Sequence, residues 1–217
     1  MLPMFITFEG IEGSGKSLQV NLAESYLKRK GFSCLVTREP GGTDFGLALR
    51  HVLLQSHGAQ REPLSELLLY LADRYQDLKE VIEPAVRRGI VVISDRYHDA
   101  TRAYQGAARG IPAATIDELA RVLGIPEPDG TILLDLDAEI ALDRARQRNA
   151  ANSSASSEGR FEAEDLSFHR RVREGYLALA RQYPHRIRVV PALGSPDEVF
   201  ARIAPLLDQW TNHRQHQ

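Results

Sequence analysis

Cysteine, tryptophan and methionine are scarce in the 217-residue chain, with one, one and two copies, and only 7% of it is aromatic. The single thiol, Cys34, excludes an intramolecular disulfide framework, and its place in the apolar run Cys34-Leu35-Val36 marks it as a core residue rather than a reactive one. Long apolar runs are missing as well. No stretch nears the length that crosses a bilayer, and Met1-Leu2-Pro3-Met4 puts no basic region ahead of a secretory core. The expectation is a cytoplasmic protein with no membrane partner. Charge of one sign is also lacking: 27 Lys and Arg face 29 Asp and Glu, a net charge of −2, so no global field draws the chain to nucleic acid. No internal repeat is visible. With 43% hydrophobic and 26% charged residues, the composition predicts one globular domain over 1–217 with a substantial core.

What is present begins with Gly10-Ile11-Glu12-Gly13-Ser14-Gly15-Lys16-Ser17, directly after the apolar run Met4-Phe5-Ile6-Thr7-Phe8. It matches G-x-x-x-x-G-K-[ST], in which backbone N–H groups turn inward around phosphate oxygens, the lysine adds a point charge and the serine offers a hydroxyl to Mg²⁺. The spacing of Leu18, Leu22, Tyr26 and Leu27 predicts a helix over 17–30, ended by Gly31, before a strand over 32–37. Strand, phosphate loop, helix, strand opens a parallel α/β sheet. Further along, helices are expected over 45–54, 64–88 with a kink at Pro84, 113–123, 139–148, 161–183 and 196–210, the last capped by Ser195. Strands are expected over 90–93, 131–136 and 186–191. Residues 149–159 are small and polar and predict a mobile flap inside a lid of about 144–161; residues 211–217 predict a frayed tail. Between Arg144 and Arg188 stand ten arginines, no lysine and five acidic residues, which suits phosphate binding or a solvated helix face with ion pairs.

A bound triphosphate needs an acceptor for its terminal phosphoryl group. A hydroxyl acceptor requires a carboxylate base, with Glu12 the candidate. A phosphate acceptor is already anionic and instead requires arginines and Mg²⁺ to offset repulsion. Arginines arriving from separate segments favour the phosphate. Ser94-Asp95-Arg96-Tyr97, at the carboxyl end of a buried strand, stands on the ligand-binding edge of such a sheet. A nucleotide-dependent switch without an acceptor, and a kinase for a nucleoside hydroxyl, remain as alternatives.

The combination of the phosphate loop with Arg38-Glu39-Pro40-Gly41-Gly42-Thr43, Asp95-Arg96-Tyr97, Ala103-Tyr104-Gln105-Gly106, Leu133-Leu134-Asp135 and Gly159-Arg160-Phe161-Glu162 resembles bacterial thymidylate kinases over nearly the whole chain. The resemblance implies a P-loop kinase fold, a five-stranded parallel sheet flanked by helices with a mobile lid, and a homodimer. It implies transfer of the γ-phosphoryl of ATP to dTMP, giving dTDP for dTTP synthesis. Residues 10–17, with Lys16, would hold ATP; Ser17, and Asp95 through water, would hold Mg²⁺. The resemblance further implies that Glu12 meets the deoxyribose, Arg50 and Arg96 the monophosphate, Arg74 the thymine, Tyr70 its face and Tyr104 the 2′ position, with Thr101 beside them. Without it, Arg50 and Arg74 would read as surface ion pairs and Tyr70 as a core aromatic. In this resemblance an arginine comes either from the phosphate loop or from the lid. Gly13 excludes the loop, so Arg148 and Arg160 become the lid candidates. The chain departs from the usual pattern at Tyr70, where phenylalanine is commoner, and at Ala100, where serine is usual.

Overall fold

The sheet is built from five short strands, β1 (Phe5–Glu9), β2 (Cys34–Arg38), β3 (Val91–Asp95), β4 (Gly130–Asp135) and β5 (Ile187–Pro191), the three inner ones almost fully buried and the two edge ones, β2 and β5, partly exposed. The computed structural model describes residues 4–55, 61–151 and 160–213. All pairings are parallel, in the order β2-β3-β1-β4-β5. Alternation along the strands sends Ile6, Phe8, Val91 and Ile93 into the larger core, and Phe5 and Val92 into a smaller one with Leu78, Ile82, Ala85 and Tyr97. Toward its carboxyl end, the second face turns polar: Thr7 and Thr131 share a hydroxyl hydrogen bond of 2.8 Å, and Thr131 also meets Asp99 and Arg186.

The helices are α1 (Lys16–Arg29), α2 (Asp44–Leu54), α3 (Pro63–Asp77), α4 (Glu83–Arg87), α5 (His98–Thr101), α6 (Ala113–Leu123), α7 (Ala138–Ala151), α8 (Leu166–Gln182) and α9 (Pro196–His213). The fold class matches the sequence expectation, but several boundaries move for local reasons. The single helix expected over 64–88 is α3, a wider π-type stretch over 78–82, and α4. Pro84 lies two residues past the π-type stretch, and the helix runs on past it to Arg87 rather than ending there. Residues 102–108 form a second π-type stretch after α5. The expected helix over 161–183 starts only at Leu166, because the Asp165 side chain accepts from the Phe168 N–H at 2.7 Å and caps it. Ser195 caps α9 as expected, and Glu198 returns the bond to the Ser195 N–H at 2.7 Å.

Two expectations about mobile ends change. Residues 144–151 of the expected lid are the last two turns of α7, while 152–159, most of the flap, lie outside the described residues. The tail expected from 211 is helical through His213: Thr211 is buried and donates to the Leu207 carbonyl at 2.9 Å; 214–217 lie outside the described residues.

Helix α9 is held against the sheet at Gly130, where an added Cβ would stand 2.6 Å from Trp210 Cζ2. Gly130→Ala must displace the indole, and overpacking of this kind costs about 1–3 kcal/mol. Urea unfolding followed by the fluorescence of the one tryptophan should show that loss.

Candidate active site

In the sheet order, β1 connects one way to β2 and β3 connects the other way to β4, so a crevice opens between their carboxyl ends. Residues 10–17 leave β1 there and residues 95–97 leave β3. Between them lies a cleft of about 470 Å³, walled by residues 38–40, by Arg50 of α2, by Tyr70 and Arg74 of α3, and by Arg148 of α7.

At the phosphate loop, Lys16 is buried and its ammonium donates to the carbonyls of Gly10 and Ile11 at 2.9 and 2.8 Å. Burial, and then the Arg96 charge, bring its pKa down to about 8. Gly13 has φ 76°, and a Cβ there would stand 1.9 Å from the Ala141 carbonyl of α7. The packing of α7 therefore forbids any side chain at this position, which explains in steric terms why the loop carries no arginine. Ser17 Oγ and Asp95 Oδ2 meet at 2.5 Å on the cleft wall.

Arg96 crosses the crevice. One terminal nitrogen donates to the Gly10 carbonyl at 2.9 Å, the other to Glu12 Oε1 at 2.6 Å. Tyr104 donates its hydroxyl to the same carboxylate at 2.7 Å and places its ring under the Arg96 guanidinium, 5.0 Å to the centroid. Burial works to raise the Glu12 carboxyl, but Arg96, Lys16 and the Tyr104 hydroxyl outweigh it and hold the group below its ordinary range.

The far end of the cleft is built on Arg74, buried with 1% exposure. Its guanidinium donates to Glu39 Oε2 at 2.6 Å, Thr101 Oγ1 at 2.7 Å and the Tyr97 carbonyl at 2.9 Å. Glu39, Asp73 and Asp77 form a buried acidic group around it, with Asp77 accepting from the Thr37 hydroxyl and Asp73 from the Gly41 N–H. Burial pushes Asp73 up to about 6 and Asp77 up to about 7. It also pushes the Glu39 carboxyl well above its ordinary range against the pull of Arg74, with Asp77 and Asp73 adding to the rise.

Residues 8–203 match the family described as thymidylate kinase. The chain belongs to the thymidylate kinase family. It is 50% identical over 198 residues to the thymidylate kinase of Nitratidesulfovibrio vulgaris (strain DSM 19637 / Miyazaki F), covering 91% of this chain and 92% of that one. The thymidylate kinase of Desulfosudis oleivorans is 46% identical over 207 residues, with 95% and 97% covered. A crystal structure of thymidylate kinase from Ehrlichia chaffeensis superposes with a TM-score of 0.75 at 32% identity, covering 95% of this chain and 98% of that one. The family phosphorylates dTMP to dTDP with ATP, which is the reaction the resemblance implied, and a phosphate acceptor is what the separate arginines favoured.

Against that reaction, the structure gathers most of the sequence-selected residues on one cleft: Glu12, Gly13, Gly15, Lys16 and Ser17 of the loop, and Arg50, Tyr70, Arg74, Asp95, Arg96, Thr101, Tyr104 and Arg148. Arg50 also donates to the Pro40 carbonyl at 3.0 Å. Arg160 departs from the expectation. Its guanidinium pairs with the buried Glu66 of α3 and donates to the Leu53 carbonyl at the end of α2, and it is absent from the cleft lining. Of the two lid arginines, Arg148 faces the cleft, paired with Glu162 at 3.0 Å.

Six residues in the quoted motifs received no role from the sequence and line the cleft nonetheless: Arg38, Glu39, Pro40, Gln105, Phe161 and Glu162. Gln105 Nε2 donates to Glu66 Oε1 at 2.8 Å. The available signal was a carboxylate on the leucine-rich face of α3, at Glu66, where only a paired acid is tolerable.

The acidic group sets a pH dependence. Asp77 has its folded pKa raised, so the unfolded chain ionises first, and stability falls as pH rises from about 4 to about 7 and is flat above. Asp77→Asn removes that loss. The melting temperature of Asp77→Asn relative to the unaltered protein should climb between pH 5 and 7 and level off by pH 8.

Proposed function

We propose that the cleft holds ATP at residues 10–17 and dTMP between Arg96 and Arg74, and that phosphoryl transfer occurs beside Arg96. The observation that carries this reading is the Arg96 guanidinium, which bridges a phosphate-loop carbonyl and Glu12 across the crevice where β1 and β3 end. Lys16 exchanges the Gly10 and Ile11 carbonyls for phosphate oxygens. Arg50 and Arg96 hold the acceptor monophosphate, offsetting the repulsion between two anions. Tyr70 lies along the thymine, Arg74, Thr101 and Gln105 meet its polar edge, and Glu12 with Tyr104 frames the sugar.

Glu12 is the residue that separates a phosphate acceptor from a hydroxyl acceptor. A carboxylate held below its ordinary pKa by Arg96 and Tyr104 is a poor proton acceptor, which suits a phosphate that brings no proton to remove.

The donor set fits Mg²⁺. Ser17 and Asp95 supply two adjacent hard oxygens, and no group of three His, Cys, Asp or Glu among the described residues could hold a metal alone, as suits an ion that takes most of its ligands from water and phosphate. When bound, the ion supplies charge neutralisation on the transferring phosphates. From the lid side, Arg148 exchanges Glu162 for the transferring group. Arg160 is assigned to anchoring the lid's foot on α2 and α3 through Leu53 and Glu66.

Homodimer formation is supported by apolar side chains on the adjoining helices α2 and α3, where Phe45, Leu47, Val52, Leu64 and Leu68 are between 43 and 51% exposed. A cytoplasmic location is in keeping with a chain in which no helix among the described residues is long and apolar enough to cross a membrane.

Steady-state assays with dTMP, dUMP, thymidine and dGMP as competing acceptors test the reading. dTMP should be preferred, and phosphorylation of thymidine in place of dTMP would overturn it. Arg148→Ala should lower kcat by about 10²-fold, the scale of removing one donor aimed at developing charge, with a much smaller change in the KM for dTMP. Arg160→Ala should act chiefly on thermal stability.

A further inference from the structure

Arg96 is the one non-glycine with a left-handed backbone among the described residues, at φ 74°. Such a conformation costs an L-residue about 1–3 kcal/mol and persists only where the surroundings enforce it. Here each neighbouring peptide group is held. The Arg96 N–H donates to the Phe8 carbonyl at 3.0 Å, and the Ser94 hydroxyl donates to the Arg96 carbonyl at 2.6 Å. The next N–H, that of Tyr97, donates to Glu9 Oε1 at 2.7 Å. The other oxygen of Glu9 accepts from the Tyr176 hydroxyl at 2.7 Å, and the oxygen of that hydroxyl accepts from the Arg96 guanidinium at 3.3 Å. A ring is therefore closed: Glu9 grips Arg96 through the backbone at Tyr97 and through the side chain by way of Tyr176.

We propose that Glu9 is a positioning residue for the transfer reaction, fixing the left-handed turn at Arg96 and with it the aim of the guanidinium across the phosphate loop. The inference rests on the reading that Arg96 meets the phosphates. Glu9 is the last residue of β1, with no exposed surface, on a strand whose other buried positions are apolar apart from Thr7. A carboxylate is an expensive occupant of such a place, since an apolar residue would avoid its desolvation altogether. It does not line the cleft, so it has no direct contact to make with a substrate. Its two oxygens are instead spent on the two groups that define the Arg96 conformation. Ser94, on the neighbouring strand in register with Thr7, completes the clamp from the other side.

Geometry makes the test specific. Gln at position 9 keeps an acceptor oxygen where the Tyr97 N–H needs it; Met has similar volume and no acceptor. Glu9→Met should lower kcat/KM for dTMP by about 10²-fold, the scale expected when a catalytic group is misplaced by about an ångström, and shift the KM for ATP by less than about threefold. Glu9→Gln should recover to within about tenfold of the unaltered protein. In an Arg96→Ala background, Glu9→Met should cost less than about threefold more, because its effect runs through Arg96. Should Glu9→Met fail to fold, Glu9→Asp serves in its place: it keeps the charge but withdraws the oxygens by one methylene, and should lose activity as Met does. Equal losses for the Met or Asp variant and for Glu9→Gln, or an equal further loss in the Arg96→Ala background, would overturn the proposal. If Arg96→Ala alone leaves activity unchanged, the fault lies with the assignment of Arg96 and not with the clamp.

Discussion

The constraint on which the site depends is the burial of charge at the carboxyl edge of a parallel sheet. Arg96 leaves β3 into a crevice where its side chain is only 18% exposed, and an unpaired guanidinium there would be costly. It is met by Glu12 at 2.6 Å, by the Gly10 carbonyl and by the Tyr104 ring, so that donor loop, acceptor carboxylate and aromatic wall are organised by one side chain. Because Arg96 follows β3 and its partners lie in the phosphate loop and in the stretch after α5, the pairing also ties three segments of chain together.

The same principle repeats at the far end of the cleft. Arg74 is buried among Glu39, Asp73 and Asp77, an excess of acid over base that burial keeps partly protonated. Glu39 Oε1 and Asp73 Oδ2 have no hydrogen-bond partner among the described residues. Such a group is a poor source of stability, and apolar replacements would often do better. What it provides is a guanidinium that cannot swing away: three acceptors hold it at 2.6, 2.7 and 2.9 Å at that end of the cleft. Both ends thus accept a stability cost in exchange for fixed donors, as preorganised electrostatic catalysis requires.

Much of this was legible in the chain. The phosphate loop is a local backbone device whose glycines and lysine are adjacent in sequence, and the buried strands declare themselves as unbroken apolar runs ending in Asp95-Arg96. Arg160 was misplaced for the opposite reason. Its partner Glu66 lies 94 residues away on another helix, and only the packing of α3 against the lid's foot decides that the guanidinium turns there rather than into the cleft. The start of α8 was missed because the Asp165 cap outweighs the helical spacing that precedes it.

By itself the sequence determined the phosphate loop and the sheet and favoured a phosphate acceptor, since these rest on short motifs and on hydrophobic patterns that act within a few residues. The tertiary structure decided which lid arginine lines the cleft, why Gly13 admits no side chain, and how Glu9 and Glu12 divide their contacts, one holding Arg96 from beneath and the other meeting it in the cleft. Those outcomes depend on contacts between residues distant in the chain: Arg96 and Glu12 lie 84 positions apart, Gly13 and Ala141 128, and Glu9 and Tyr176 167. A buried charge takes whichever partner the packing brings within about 3 Å, and no local pattern in the chain encodes that distance.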